Sequence, residues 1–505
     1  MNSSFPILTT LIGLPIAGGA LLLLFRREEH RAARAAALVF SLFTLALSLP
    51  LFFLFDGQSH AHQFVERRDW VPAFGITYKV GVDGIGLLLV LLTTFTTPIA
   101  ILCSWTAIEH RVKEFFASLL FLEAAIIGVF AAQDLLLFYV FWELVLIPMF
   151  LLIGVWGSDR RIYSAVKFFI YTAAGSLLML VAILYLYWKT AGSVGVLERT
   201  FELSVIFERL STGEILLTRD EQIWLFLAFG LAFAIKVPLF PFHTWLPDAH
   251  VDAPTAGSVI LAAVLLKMGG YGLVRYAIPL FPLGMKALAP VLIALAVTGI
   301  VYGALMSLAQ TDMKKLIAYS SVSHLGFVVL GIVAWNAKAI SGAVMQMVNH
   351  GLSTGALFLF VGAIYERRHT RKIADYGGVA KAAPGMAVVF MMATLSSIGL
   401  PGLNGFVGEF LVLIGAFEEN RLATAVAALG IVLGAVYMLM LYQRVMLGPF
   451  RSGDDASTPD LVAREYVYFA PILIMMVVIG LYPHPFLKVL DGSIASLLNH
   501  VKGLT

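Results

Sequence analysis

Residues 229–267 read FGLAFAIKVPLFPFHTWLPDAHVDAPTAGSVILAAVLLK, and the physics of this stretch decides the fold class. Lys236 stands in the middle of an apolar run that otherwise reads as a membrane-spanning helix, and Pro238 and Pro241 interrupt that helix just after it. A proline has no N–H to offer the carbonyl four residues back. The carbonyls of Ala234 and Val237, on either side of the lysine, are therefore expected to lose their helical partners. In hydrocarbon such groups must be met by protein or by water in a cavity. Lys267 falls within the next apolar run, ahead of Gly269, Gly270 and Gly272. A charge at the bilayer centre costs at least about 2.5–3.5 kcal/mol on insertion scales. Two lysines and a broken helix at membrane depth point to an ion or proton path.

The rest of the chain fits that setting. It is 60% hydrophobic and 13% charged, with a mean hydropathy of +0.90, whereas soluble domains carry roughly 25% charged residues. A single cysteine, Cys103, excludes a cluster held by four of the chain's own thiolates, a CxxC redox pair and a disulfide framework. No GxGxxG or HExxH motif is present. A formal net charge of +3 gives no case for nucleic-acid binding. The apolar N-terminal run lacks a preceding basic region and a clear cleavage site, so it reads as a retained first helix.

With about 20 apolar residues needed per crossing, the pattern predicts an all-α polytopic membrane protein of about 14 transmembrane helices. The first two spans are 5–25 and 33–55, followed by a polar loop over 56–82. A long amphiphilic loop, 189–221, precedes the broken seventh span at about 223–246, and the eighth is 255–276. The twelfth, about 385–417, is broken at SSIGLPGLNGFVGEF. The tail after Pro485 reads as a surface amphipathic helix. The two breaks are five spans apart, and an odd interval inverts the second copy relative to the first. That spacing predicts two inverted five-helix repeats, helices 4–8 and 9–13, with helices 7 and 12 discontinuous. The corresponding divisions are 1–114, 115–276, 285–447 and 448–505. Loops after odd-numbered spans carry Arg26, Arg27, Arg31, Arg34, Arg367, Arg368, Arg371, Lys372 and Lys381. Both termini are therefore expected on the side away from the cytoplasm.

Several ionisable residues sit at membrane depth. Glu143, in LLLFYVFWELVLIPMF, lies mid-span near Pro148, which frees the carbonyl of Leu144. It reads as the carboxylate partner of Lys236, since pairing lowers the burial penalty of both groups. The alternative is a protonated glutamate held in a helix interface. Glu409 follows the break in the twelfth span, with glycines at 399, 402, 405 and 408 around it; the alternative there is a surface carboxylate at a helix end. His324 (YSSVSHLGF) and His350 (MQMVNHGLSTG) are flanked by hydroxyl and amide side chains, as a hydrated relay requires. A neutral imidazole accepts a proton on one nitrogen and releases one from the other. His243 and His250 read first as helix-end structure, and no two of these four histidines have the i, i+4 spacing of a helical metal pair. Glu123 is a further carboxylate in the fourth span. Lys167 is expected to snorkel to the interface.

These residues carry a resemblance. The chain is similar, over nearly its whole length, to the M subunits of bacterial NADH–quinone oxidoreductase (respiratory complex I) and to their mitochondrially encoded counterpart, the fourth ND subunit. The stretches that carry it are residues 83–105 (DGIGLLLVLLTTFTTPIAILCSW), 141–157 (FWELVLIPMFLLIGVWG), 236–272, 314–327 (KKLIAYSSVSHLGF) and 400–411 (LPGLNGFVGEFL). The 236–272 stretch is shared across the wider antiporter-like family. Glu409, where related antiporter and L- or N-type subunits carry lysine, points to the M type.

The resemblance implies a 14-helix antiporter-like fold and proton translocation driven by NADH oxidation and quinone reduction elsewhere in the complex. By the same resemblance Glu143 and Lys236 form the input pair, Lys267 is the central relay, Glu409 is the output carboxylate, and His324 and His350 connect the last two. It implies no cofactor in this chain, with flavin mononucleotide, iron–sulfur clusters and quinone in partner subunits. The implied partners are L-type and N-type antiporter-like neighbours, small membrane subunits and lipids. The implied place is the bacterial inner membrane. The competing assignment is a subunit of a multisubunit cation/proton antiporter or a membrane-bound hydrogenase.

Overall fold

A computed structural model of the chain describes residues 5–191 and 198–504. Residues 192–197, part of the long loop expected after the sixth span, lie outside the described residues. Among the described residues, twelve helices are long and apolar enough to cross a membrane. In chain order the structure begins with α1 (Ile7–Leu24) and α2 (His30–Leu54), then a hairpin of β1 (Gln63–Val71) and β2 (Ile76–Val82). Next come α3 (Gly84–Cys103), α4 (Val112–Ala131), α5 (Leu135–Leu144), α6 (Leu146–Trp156), α7 (Arg161–Lys189) and the short α8 (Leu203–Ser211). The interrupted region follows as α9 (Arg219–Lys236) and α10 (Trp245–Asp252), with α11 covering Thr255–Leu280. Then come α12 (Pro282–Leu308), α13 (Met313–Val333), α14 (Ala337–Arg368), α15 (Pro384–Ser397), α16 (Asn404–Glu419) and α17 (Arg421–Met446). Last are α18 (Ala463–Leu481), the single turn α19 (His484–Lys488) and α20 (Asp491–Leu504).

The description all-α needs correction. The polar loop expected over 56–82 folds into an antiparallel two-stranded hairpin, with Arg67 opposite Lys79 and Asp69 opposite Thr77. The amphiphilic loop before the broken region contains α8, and Glu202 at its start ties it to the hairpin through Lys79 (2.5 Å) and Arg67 (3.2 Å). Burial works against the Glu202 carboxylate, but Lys79, Ser204 and Arg67 outweigh it and hold its pKa below the usual carboxylate range.

Burial sorts the helices into a core and a jacket. α11, α13 and α14 are buried along 94–100% of their most apolar stretch, whereas α2, α12 and α18 are buried along about a third. Small residues let the core helices close up. In α14 and α16, Gly342 faces the backbone of Leu411 and Val412, Gly408 faces the backbone of Gln346, and Gly415 faces Ala339. Without a hydrophobic drive between helices in lipid, such close backbone approach is what holds them together.

The connecting segments collect on two opposite faces. On one, Lys113 donates to the carbonyls of Leu23 and Phe25, Ser158 N–H to Asp252, Met313 N–H to Arg371, and Gly378 N–H to Leu447. On the other, Gln133 N–H donates to Lys79, Gly492 N–H to Gly57, and the His500 ring meets the carbonyl of Pro279. The first face gathers the loops after odd-numbered spans and the second those after even-numbered ones.

Candidate functional site

The break after Lys236 places the first cation. α9 ends at Lys236 and the helix resumes only at Trp245. The carbonyl of Ala234 does not lose its partner, as the prolines alone suggest: Leu239 N–H reaches back five residues to it at 2.8 Å. The freed carbonyl is that of Ile235, and the buried indole N–H of Trp245 takes it at 2.9 Å. The two half-helices are thereby tied across the gap. Lys236 is fully buried, its Nζ lies 5.5 Å and 5.4 Å from the ring centres of Trp142 and Phe168, and it has no hydrogen-bond partner.

Glu143 sits near the end of α5, just before Val145, which keeps helical dihedrals and carries the span on into α6. Its carboxylate makes no ion pair with Lys236 among the described residues, and its Oε1 is buried without a partner. The residue as a whole is half-buried on the molecule's lateral surface, beside exposed Leu144 and Ile147.

The other half of the site is more closely connected, with one gap between its two histidines. α11 contains two π-helical turns, Leu261–Leu265 and Leu273–Ala277, on either side of Lys267. Lys267 is fully buried; its Nζ donates to the carbonyl of Ala262 and contacts His350 Nδ1 at 2.7 Å. The His350 and His324 rings are 5.8 Å apart, centre to centre. His324 Nδ1 meets Glu409 Oε1 at 2.7 Å, and Gln346 Nε2 donates to the same oxygen at 2.9 Å. Glu409 is 3% exposed, so it is not a surface carboxylate. Gly399, at φ 72°, lies where any β-carbon would press on Glu409 Oε2 at 3.1 Å, so the break in the twelfth span makes room for this carboxylate.

Four other residues fall as follows. His243 is buried against Phe240, Tyr302 and Tyr319. His250 is fully buried and stacked on Phe358, with neither ring nitrogen hydrogen-bonded. Glu123 is buried in α4 with both oxygens unpartnered. Lys167, partly exposed, pairs with Asp248 at 2.7 Å. One buried lysine was not singled out by the pattern. Lys314 is 5% exposed, with its Nζ donating to the carbonyl of Ala253 at 2.7 Å. It stands at the start of its helix next to Lys315, where a lysine reads as interfacial; the KK pair was the only available signal.

Comparison with known proteins bears on what this polar run belongs to. Residues 132–434 match the family described as NADH:quinone oxidoreductase/Mrp antiporter, transmembrane. The chain is 46% identical to NADH-quinone oxidoreductase subunit M of Rhodobacter capsulatus, over 98% of this chain and 96% of that one. The chain belongs to the NADH-quinone oxidoreductase subunit M family. It is 42% identical to NADH-ubiquinone oxidoreductase chain 4 of Marchantia polymorpha, over 98% and 97% of the two chains. Among solved structures, a chain of respiratory complex I from Thermus thermophilus with bound NADH superposes with a TM-score of 0.87. That chain is 32% identical, with 99% of this chain and all of that one covered. A chain of the Mrp complex from Dietzia sp. DQ12-45-1b shares the fold at TM-score 0.81 and 24% identity, with 98% of this chain and 52% of that one covered. As a subunit M family member the chain is a membrane-arm subunit of complex I, and no group of three or more potential metal ligands occurs among its described residues.

Proposed function

We propose that this subunit translocates protons along the buried run Lys267–His350–His324–Glu409, with Lys236 and Glu143 as the input. The proton motion is driven by NADH oxidation and quinone reduction in partner subunits, which carry the flavin and iron–sulfur groups. The observation that carries the reading is the pair of 2.7 Å contacts at the two ends of that run, Lys267 to His350 and His324 to Glu409. With Lys267 as the ammonium and Glu409 as the carboxylate, the two contacts fix the tautomers the relay needs. His350 accepts from Lys267 on Nδ1, so its Nε2 carries the hydrogen. His324 donates from Nδ1 to Glu409, so its Nε2 accepts. A proton handed from the Lys267 ammonium to His350 Nδ1 displaces the one on Nε2 toward His324, which passes its Nδ1 proton to Glu409.

At the input, Lys236 has no bound partner, so its charge responds to any carboxylate that approaches or leaves Glu143's side of the molecule. Matching breaks after α9 and α15 support 14 transmembrane helices with inverted repeats over helices 4–8 and 9–13, and the divisions 1–114, 115–276, 285–447 and 448–505. The arginine-rich face that gathers the odd loops is the cytoplasmic one, which puts both termini in the periplasm of a bacterial inner membrane. The half-buried Glu143 face is where an L-type or N-type neighbour packs, with lipid and small membrane subunits elsewhere.

The test is Lys236→Ala in the assembled complex, in inverted membrane vesicles. A proton-transfer group typically contributes 10²–10⁴-fold on its own path, so the flux entering at Lys236 is expected to fall by about 10²-fold and total pumping by about twofold or more, with the complex intact. Normal assembly with full pumping would sink the proposal.

A further inference from the structure

Lys314 is a third fully enclosed lysine, and the run described above does not use it. Its surroundings form a second polar track. On α13, Lys314, Ile317, Ser321 and His324 follow one another at helical spacing, so the lysine and His324 share a face. Lys314 Nζ holds the carbonyl of Ala253 at 2.7 Å and lies 3.4 Å from Ser258 Oγ, which donates to the carbonyl of His250 at 3.1 Å. Lys314, Lys267 and His350 all lie within electrostatic reach of His250.

Between His250 and the central run, buried polar atoms repeat without protein partners. They are both nitrogens of His250, Thr354 Oγ1 and His350 Nε2. On α14, His350, Thr354 and Phe358 are spaced by four residues, and Phe358 is the ring against which His250 stacks, 4.4 Å between centres. The orphan atoms therefore line up along one side of α14 from His250 to His350. Buried polar groups are rarely left unbonded, and water is the partner that fits when protein supplies none. At the outer end, the Arg371–Asp312 ion pair at 3.5 Å is partly exposed on the odd-loop face, and Arg371 also bonds the carbonyl of Val251.

We propose that Lys314 is a proton-transferring residue at the mouth of a second uptake branch. The branch leads from the odd-loop face through His250 and Thr354 to His350, and it joins the central run without passing Glu143 or Lys236. It rests on the proton-translocating reading above. In each step the Lys314 ammonium gives one proton through water to a ring nitrogen of His250, and that ring releases one from its other nitrogen toward Thr354 and His350. The Lys314 amine regains a proton from the aqueous face, so one proton arrives for each that moves on and no electrons are exchanged. The titratable groups facing Lys314 are Asp312 on its own helix, Asp252 and His250 from α10, Arg371 after α14 and Cys103 from α3.

The experiment compares Lys314→Gln, Lys314→Arg and Lys314→His with Lys315→Gln and Lys236→Ala. Proton flux is followed in inverted vesicles and normalised to assembled complex, with the pH of the odd-loop face varied. Arginine keeps the charge but does not release its proton, whereas histidine does. Lys314→Gln and Lys314→Arg are expected to lose about half of the flux, the remainder running through Lys236, since a proton-transfer group contributes 10²–10⁴-fold on its own path. Lys314→His is expected to recover flux with its pH dependence moved toward the imidazole range, and Lys315→Gln to behave as wild type. Full flux in Lys314→Gln, full rescue by arginine, or no gain from histidine over glutamine would each overturn the branch. If Lys236→Ala also pumps fully, the translocation reading fails instead.

Discussion

Lys236 and Lys267 are both fully buried, yet their ammonium groups keep different company. Lys236 faces two aromatic rings with no acceptor, while Lys267 is anchored by a carbonyl and a histidine. A cation over a ring face is attracted by about 0.5–2 kcal/mol without the directional hold of an acceptor, so Lys236 is fixed in place by fewer directional contacts than Lys267. Outside the membrane the key single residue is Glu202. Its pKa lies below the ordinary carboxylate value because Lys79, Ser204 and Arg67 outweigh burial. The stabilisation it gives is complete above the unfolded value of about 4.3 and is lost as pH falls through the folded value. Glu202→Gln should loosen the hairpin from α8 by about 1–3 kcal/mol, the range of a charged hydrogen bond. Limited proteolysis between β2 and α8 at pH 7 should show faster cutting in the variant, and in wild type only in acid. At this scale the sequence showed which groups are ionisable and buried, and Lys267, His324, His350 and Glu409 do come together. It could not show Lys314, because a lysine one residue into a helix looks solvated until Ala253 folds over it.

Among the elements, the seam between α14 and α16 carries the geometry around Glu409. Gly408 stands one residue before Glu409, and a β-carbon there would lie 2.7 Å from the backbone nitrogen of Gln346. Gly408→Val should push α16 away from α14 and break the Gln346 and His324 contacts to Glu409. Pumping is then expected to fall about as far as on removal of the carboxylate, within an order of magnitude. The comparison is with Glu409→Gln in the same vesicles, and wild-type pumping in Gly408→Val would refute it. Helix positions were legible because about 20 apolar residues are needed to cross a bilayer. The hairpin was not, since β1 (QFVERRDWV) holds too many charges to show a buried face. The π-helical turns flanking Lys267 left no trace either, because they change only which carbonyl each N–H meets.

For the molecule as a whole, the connecting loops sort onto two faces, and the two breaks, after α9 and after α15, were visible as proline and glycine clusters. What no single chain could reveal is which surface another subunit covers. Glu143, read as the carboxylate partner of Lys236, lies half-buried at the lateral surface with Leu144 and Ile147 exposed beside it, within electrostatic reach of the lysine. A newly made chain that has not met its neighbour carries this carboxylate toward lipid, where an acidic group costs about 2.5–3.5 kcal/mol at mid-depth. On the proposed mechanism the carboxylate that takes part in proton transfer in the finished complex would also mark the orphan chain as unfinished, tying its lifetime in the cell to assembly. In cells lacking the adjoining antiporter-like subunit, pulse-chase labelling should show this chain cleared several-fold faster than in wild type, and Glu143→Gln should slow that loss; equal half-lives would break the link between pumping chemistry and protein turnover.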